Sequence, residues 1–288
     1  MACRRILSLW FPRFAAEIAV RREPELAGAL LAVTQDRMGK RVICALSPGA
    51  EAAGLRLDMG VTDARAMCPD LITRDADAAQ QADVLAALCR WAGQFSPWIA
   101  PDGDAALTAD LTGCAHLFGG EAALAERLAE DCTAFGFSPQ IGIANTKGAA
   151  WAVARFRGGP ARARRSGDAI DQEARATRSR ATKRRISEPS PVPEAVPVRI
   201  VPPDEMRAML APLPLAALRL DGESVANLAR LGLRVIEDLA QLPRAALARR
   251  FGLEIVRRLD QVFGAEPEPL SPEGPPRHFA ADRHAASP

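Results

Sequence analysis

The chain has 288 residues, of which 48% are hydrophobic and 25% charged, and its 37 Lys and Arg against 35 Asp and Glu give a formal net charge of +2. This apolar fraction is large enough for a buried core, so it excludes wholesale disorder and the fibrous classes, and the length favours about two domains. The uncharged apolar stretches, such as residues 26–33, are shorter than the ~20 residues that cross a bilayer. We therefore expect a cytoplasmic protein without membrane contact.

Six cysteines are spread along the chain without a Cys-x-x-Cys pair, and only Cys114 and His116 have a spacing typical of metal ligands. Two such residues do not complete a structural zinc site, which takes four ligands. The pattern predicts reduced, mostly buried thiols, with no disulfide framework, no metal and no cofactor.

Strands and helices alternate in the first half of the chain. Short apolar or alternating stretches predict strands at 5–9, 30–33, 41–46 and 141–144. Amphipathic patterns predict helices at 84–91, 121–135 and 147–156. This mixture is typical of an α+β or α/β domain, which we place at residues 1–157.

A basic tract follows this domain. Residues 155–185 contain eleven Lys and Arg but three Asp and Glu, a local charge of +8, so the remaining chain sums to about −6. Prolines follow, and we predict a basic and then Pro-rich linker over 158–203. The tract is either a solvated linker or a source of DNA phosphate contacts. The candidate DNA-binding residues in it are Arg162, Arg164, Arg165, Arg184 and Arg185.

Residues 204–265 are Leu-rich and amphipathic, which predicts a small helical domain, and residues 266–288 predict a flexible tail. Gly232 joins two helical segments, and a glycine turn exposes backbone N–H groups of the second helix to an anion such as a DNA phosphate. This is the physics of a helix-hairpin-helix element, so Gly232 and Arg234 are candidate DNA-binding residues. An ordinary αα-hairpin has the same spacing.

Several stretches, taken in order, resemble the Y-family translesion DNA polymerases of the DinB/UmuC type, and more closely their ImuB branch. They are residues 5–17, 24–28, 46–60, 64–71, 110–120, 141–150 and 213–252. The resemblance implies an α+β palm with fingers inserted at about 20–75 and a small all-helical thumb. The chain stops at Pro288, where the family's little-finger domain begins, so we expect that this domain is absent or that the chain is a shortened form.

Active members of this family hold two Mg²⁺ ions with one Asp on the first palm strand and an Asp-Glu pair on a later hairpin. The resemblance places these three positions at Trp10, Ala105 and Ala106. Trp and Ala cannot coordinate Mg²⁺, so we expect no catalytic residue and no bound metal.

Other family positions depart in the same direction. The Tyr and Arg that grip the triphosphate correspond to Pro48 and Glu51, and the aromatic side chain that screens the sugar corresponds to Ala15. Lys147 matches a family lysine near the nucleotide site and is a weak nucleotide-binding candidate. Its alternative role is a solvated surface charge.

The remaining carboxylates offer one way to rebuild a metal site. Asp102 and Asp104 flank Gly103, and an Asp-x-Asp spacing on a strand puts both carboxylates on one face. Asp, Gly and Pro are also the standard turn residues, and the Pro101 to Asp104 sequence favours a turn that leads into a strand. Asp110 matches an acidic family position that is structural.

Three functional hypotheses remain open. The first is a non-catalytic polymerase-like accessory protein in damage-induced translesion synthesis, associated with the bacterial nucleoid. The resemblance then implies DNA, the sliding clamp, an error-prone replicative-type polymerase and an ImuA/RecA-like protein as partners. The second is an active error-prone polymerase that binds Mg²⁺ through unusual ligands such as Asp104 and Asp110. The third is a basic nucleic-acid-binding remnant without these protein partners.

Overall fold

The computed structural model describes residues 4–156 and 198–270. The strands are β1 (Ile6–Trp10), β2 (Leu31–Arg37), β3 (Lys40–Leu46), β4 (Ile72–Asp75), β5 (Ile99–Pro101), β6 (Ala106–Asp110), β7 (Gln140–Ala144) and β8 (Val198–Ile200). The helices are α1 (Phe14–Arg22), α2 (Pro48–Ala52), α3 (Val61–Met67), α4 (Ala78–Ala92), α5 (Glu121–Ala134), α6 (Lys147–Arg155), α7 (Met206–Leu210), α8 (Gly222–Arg230), α9 (Ile236–Ala240), α10 (Arg244–Phe251) and α11 (Leu253–Phe263). Among these described residues, no helix is both long and apolar enough to span a bilayer.

Five strands form the central sheet in the order β5-β6-β1-β7-β8. β1 pairs antiparallel with β6 and β7, and β8 pairs in parallel with β7. Because side chains alternate along a strand, one face carries an apolar row that packs against α4 and α5. The sheet residues of this core are Leu7, Leu9, Leu107, Ala109, Ile141 and Ile143. The opposite face carries Ser8 and Trp10 and is covered in part by α6.

A second sheet, with the order β3-β2-β4, is inserted between α1 and α4. It has its own small core, which contains Ala32, Ile43 and Leu46 together with residues of α2 and α3. Ser47 is the N-cap residue of α2, since its hydroxyl accepts a hydrogen bond from the backbone N–H of Ala50. This unit is the fingers of the polymerase-like architecture, and its strands lie within the range 20–75 that the sequence predicted.

The C-terminal helices share a core with the palm. Ile6 and Ala144 of the sheet, Ala149 and Val153 of α6, and apolar residues from Leu210 to Val262 belong to one buried cluster. The palm and the thumb therefore pack against each other through α6. The predicted fold class, an α+β palm with inserted fingers followed by a helical thumb, is confirmed.

The predicted linker 158–203 needs a correction at its C-terminal end. Residues 198–200 form β8, whose register pairs Val198 with Ile141 and Ile200 with Ile143. Residues 157–197 thus lie between α6 and β8 and connect two parts of the palm. The sequence did not predict this strand, because it is three residues long and follows Pro197. A proline at this place is tolerated because β8 lies at the edge of the sheet.

The predicted tail 266–288 also needs a correction, at its beginning. Both carboxylate oxygens of Glu268 accept hydrogen bonds of 2.6 Å from Arg219, and both side chains are mostly buried. Leu270 packs against the core that palm and thumb share. Residues 266–270 are held against the thumb by a bidentate ion pair, which a pattern of prolines and glutamates does not reveal.

A half-buried carboxylate in α1 makes stability depend on pH. Oε1 of Glu17 accepts a hydrogen bond from the backbone N–H of Ser138, whereas its buried Oε2 has no hydrogen-bond partner. Burial raises the pKa of Glu17 above its ordinary value of 4.5. Because the folded-state pKa is the higher one, the free energy of unfolding falls as the pH rises from 4.5 through the folded-state pKa.

We expect Glu17→Gln to remove this pH-dependent loss, because an amide has no charge to bury. The free energy of unfolding of Glu17→Gln, relative to that of the native chain, should be higher at pH 7 than at pH 4. Urea denaturation at both pH values measures this difference. A relative stability that is the same at the two pH values would contradict the assignment.

Candidate functional site

The sheet brings the three predicted metal-ligand positions together. Trp10 at the end of β1 lies directly opposite Ala106 at the start of β6. The backbone N–H of Phe11 donates to the carbonyl oxygen of Ala105 at 2.9 Å. The three predicted positions are thus neighbours in the sheet, and their side chains are an indole and two methyl groups. These residues do not fit Mg²⁺, which requires oxygen ligands.

A guanidinium covers the tryptophan at this position. The Arg155 Cζ lies 5.0 Å from the ring centroid of Trp10 and 4.3 Å from that of Trp151, within the range of cation–π contacts. The same group donates to the hydroxyl of Ser8 at 3.2 Å. Burial lowers the pKa of Arg155 to about 10, so the group stays charged at neutral pH. A guanidinium that contacts two indole rings thus lies beside Trp10, one of the predicted metal-ligand positions.

Lys147, the weak nucleotide-binding candidate, lies at the N-terminal end of α6. Its Nζ is 3.1 Å from Oδ1 of Asp102, and both side chains are mostly buried. Oδ2 of Asp102 is buried and has no hydrogen-bond partner. The lysine is therefore already neutralised within the protein and is not a solvated surface charge. Its role as a nucleotide contact remains a prediction.

Asp102 belongs to a turn. Residues 102–105 connect β5 to β6, the backbone N–H of Asp102 donates to the carbonyl of Ala106 at 2.8 Å, and Gly103 has a φ of +76°. Such a φ favours glycine, which has no Cβ to clash with the backbone. The turn interpretation of this segment is confirmed.

A second ion pair joins Arg13, which follows β1, to Glu51 of the fingers. The Arg13 Nη2 lies 2.7 Å from Oε2 of Glu51 in α2. The charge of Glu51 is therefore balanced by an arginine that precedes α1. Pro48, the other departure from the family pattern, occupies the first position of α2, where a missing N–H has no cost.

The space between palm and fingers remains open. A cleft of about 690 Å³ is lined by β1 and the residues after it, by β2, β3 and α4, and by the turn before β6. Seven of the lining residues are alanines, including Ala15, and Asp104 is the one charged residue among them. The cleft is thus apolar, with one carboxylate and no cation in its lining.

Asp104 and Asp110 lie at opposite ends of β6. The five residues of this strand alone span about 13 Å at ~3.3 Å per residue, whereas two catalytic metal ions lie about 4 Å apart. Asp110 is engaged locally, since it accepts from the Thr112 N–H and pairs with Arg4 at 3.0 Å. These contacts lower the pKa of Asp110 despite partial burial, which opposes them. Within residues 4–156 and 198–270, no cluster of three or more His, Cys, Asp or Glu is arranged to hold a metal ion.

The turn at Gly232 differs from the predicted anion site. The N–H groups of Arg234 and Val235 donate to Oδ2 of Asp238, at 2.8 and 3.0 Å. The other N–H groups from Gly232 to Asp238 donate to backbone carbonyls. An acidic residue of the second helix thus occupies the donors that were expected to hold a phosphate. The backbone donors of this turn are therefore occupied within the chain, and DNA contacts by Gly232 and Arg234 stay a prediction.

The five arginines predicted to contact DNA, Arg162, Arg164, Arg165, Arg184 and Arg185, lie outside the described residues. The contacts of Arg13 and Arg155 were not foreseen from the sequence. A charge reversal at a family position, as at Glu51, is the signal that could have directed attention to a nearby arginine.

The sequence pattern of the impB/mucB/samB family matches residues 9–155, which include the palm, the fingers and the altered site. The chain belongs to the impB/mucB/samB family. The match covers about half of the chain and ends at the last residue of α6.

Relatives agree with this membership. The chain is 40% identical over 226 residues to Protein ImuB of Caulobacter vibrioides (strain NA1000 / CB15N), which is 78% of this chain and 39% of that protein. It is also 23% identical over 265 residues to DNA polymerase IV of Desulfatibacillum aliphaticivorans. These aligned residues cover 91% of this chain and 57% of that polymerase. The chain thus spans less than half the length of its ImuB relative. Within the Y-family polymerases it is ImuB-like.

Solved structures show the same fold. DinB from Sulfolobus solfataricus superposes with a TM-score of 0.69 at 14% identity, over 94% of this chain and 70% of that one. The insertion ternary complex of Dbh DNA polymerase also gives a TM-score of 0.69 at 14% identity, over 92% of this chain and 69% of that one. The chain therefore has the fold of the Y-family polymerases.

Proposed function

We propose that this family member is a non-catalytic polymerase-like accessory protein in damage-induced translesion synthesis. One observation carries the proposal: Trp10 and Ala106, with Ala105 beside them, lie opposite each other on β1 and β6. The resemblance assigns the family's metal ligands to these three positions. Without carboxylates there, no metal offsets the charge of a triphosphate. The fold then acts as a DNA-binding adaptor between other proteins.

The similarity to Protein ImuB supports the choice of partners. We propose the sliding clamp, an error-prone replicative-type polymerase and an ImuA/RecA-like protein as the proteins that it bridges on DNA in the bacterial nucleoid. Crosslinking and pull-down from DNA-damaged cells tests this role. Recovery of DNA without any of these proteins would favour the nucleic-acid-binding remnant instead.

Primer extension separates the accessory function from the polymerase alternative. We expect no template-dependent incorporation by the purified chain with Mg²⁺ or Mn²⁺, because the ligand positions carry no oxygen. DNA polymerase IV of Desulfatibacillum aliphaticivorans is a suitable positive control. Incorporation that disappears in Asp104→Ala or Asp110→Ala would overturn the proposal, although the length of β6 already separates these two carboxylates.

The basic tract is the second testable part of the proposal. Phosphate contacts release counterions, so the logarithm of the affinity for duplex DNA should fall linearly with the logarithm of the salt concentration. Changing Arg162, Arg164, Arg165, Arg184 and Arg185 to Gln should flatten this slope by about 4 if all five contact phosphates. Fluorescence anisotropy over a salt series measures the slope.

A matched control uses arginines that already have carboxylate partners. Arg37 pairs with Asp58 and Arg127 pairs with Asp131. Changing Arg37 and Arg127 to Gln should leave the slope unchanged. An unchanged slope in the fivefold variant as well would identify the tract as a solvated linker.

A further inference from the structure

The cleft between palm and fingers has the size of a binding site but the wrong chemistry for a nucleotide. Its volume of about 690 Å³ lies within the range of ligand sites, roughly 300–1,000 Å³. Small side chains create this space, among them Ala82 and Ala86 of α4 and Ala105 of the palm. Apolar walls favour an apolar occupant.

Three cations near the cleft are not free to bind an anion. Arg13 pairs with Glu51, Lys147 pairs with Asp102, and Arg155 lies against two indole rings. A phosphate would have to break one of these pairs or approach Asp104, whose charge repels it. The one charged group in the lining therefore selects a neutral or positively charged occupant.

The mouth of the cleft indicates a macromolecule rather than a metabolite. Leu57 lines the cleft, yet 55% of its surface is exposed. Leu57 extends the apolar lining to the mouth of the cleft, and a protein segment that covers the mouth would bury it. Asp104 is also exposed at this edge, where a basic side chain can reach it from solvent.

We propose that this cleft binds a short segment of a partner protein, with a bulky apolar side chain inserted between α4 and the palm and a neighbouring Lys or Arg paired with Asp104. A central apolar anchor with a charged rim is how many interfaces concentrate their binding energy. The inference rests on the proposed accessory function, because it gives the vacated nucleotide site to a protein partner.

Panning a random heptapeptide library against the purified chain tests this directly. We expect enrichment of peptides with an aromatic or aliphatic residue next to Lys or Arg, whose affinities are then measured by anisotropy. Ala82→Trp fills the cleft from an exposed position of α4 and should weaken binding about tenfold or more. Ala87→Trp is the matched control, since Ala87 is exposed on the same helix outside the lining.

The charge is tested separately. Asp104→Asn should weaken basic peptides about 2- to 5-fold, as expected for a rim ion pair, and should leave uncharged twins unaffected. Asp83→Asn on α4 is the control for the loss of one negative charge.

Three outcomes would overturn the inference: no enrichment, enriched peptides that bind Ala82→Trp as well as the native chain, or displacement of the peptides by a deoxynucleoside triphosphate with Mg²⁺. The proposed function has its own readout in primer extension. A chain that neither extends primers nor enriches peptides would lose this inference alone.

Discussion

Substituting Gly142 by alanine should destabilise the chain by about 3 kcal/mol, because β7 and α6 touch at this residue. A Cβ at Gly142 would lie 2.3 Å from the carbonyl oxygen of Ala150 and 2.8 Å from the backbone nitrogen of Ala154. Both atoms belong to the helix backbone, so no side-chain rotation relieves the clash. The helix would have to move off the sheet, and with it Arg155 and Lys147. Urea denaturation measures the loss.

Gly222→Ala is the matched control for this substitution. Gly222 begins α8, and a Cβ there meets nothing within 4 Å. Alanine is a better helix residue than glycine, so we expect a gain of about 0.5 kcal/mol. Equal stabilities for the two variants would show that the contact between β7 and α6 is looser than the structure indicates.

Arg5→Met should cost about 3 kcal/mol, because Arg5 links four parts of the palm. Its guanidinium binds both carboxylate oxygens of Glu121 at the start of α5, the side-chain oxygen of Asn145 at 2.6 Å and the carbonyl of Val201 at 2.9 Å. The Arg5 side chain is only 12% exposed. Methionine fills a similar volume but leaves the mostly buried Glu121 without its partner.

The neighbouring residue gives a control of the same kind. Arg4 pairs with Asp110 at 3.0 Å, but 45% of the Arg4 side chain is exposed. Water screens such a pair, so Arg4→Met should change the free energy of unfolding by no more than about 1 kcal/mol. A similar loss in both variants would mean that net charge, rather than the buried hydrogen bonds of Arg5, sets the stability.

These two contacts explain how a polymerase-like shape persists without polymerase ligands. Arg5 links the elements around the start of β1. One face of the central sheet packs against α6, and the apolar row on the other face packs against α4 and α5. Positions 10 and 105 contribute to this packing, since the Trp10 ring lies against Arg155 of α6 and Ala105 packs against the core of the sheet. Side chains without oxygen at these predicted metal-ligand positions are therefore compatible with a stable fold.

Part of the fold could be predicted because its signals are local. Strands β1, β3 and β7 and helices α5 and α6 lie close to their predicted ranges, since each contains an apolar pattern of its own period. Strands β5 and β8 were not predicted, and β6 was predicted only as the strand that follows the turn at residues 101–104. These strands are short, and they contain or follow residues that are rare in strands: Pro101 in β5, Ala106 in β6 and Pro197 before β8. Only pairing with the neighbouring strands makes them part of a sheet.

The candidate site divides in the same way. The order of the motifs and the residue types at Trp10, Ala105, Ala106 and Glu51 are properties of the sequence. They indicated the family, and they predict that the metal ligands are absent, which stays a prediction. Only the tertiary structure decided where the neighbouring charges go. Arg13 reaches Glu51 across 38 positions and Arg155 reaches Ser8 across 147. Distances between side chains that far apart depend on how sheets and helices pack, so no local pattern records them.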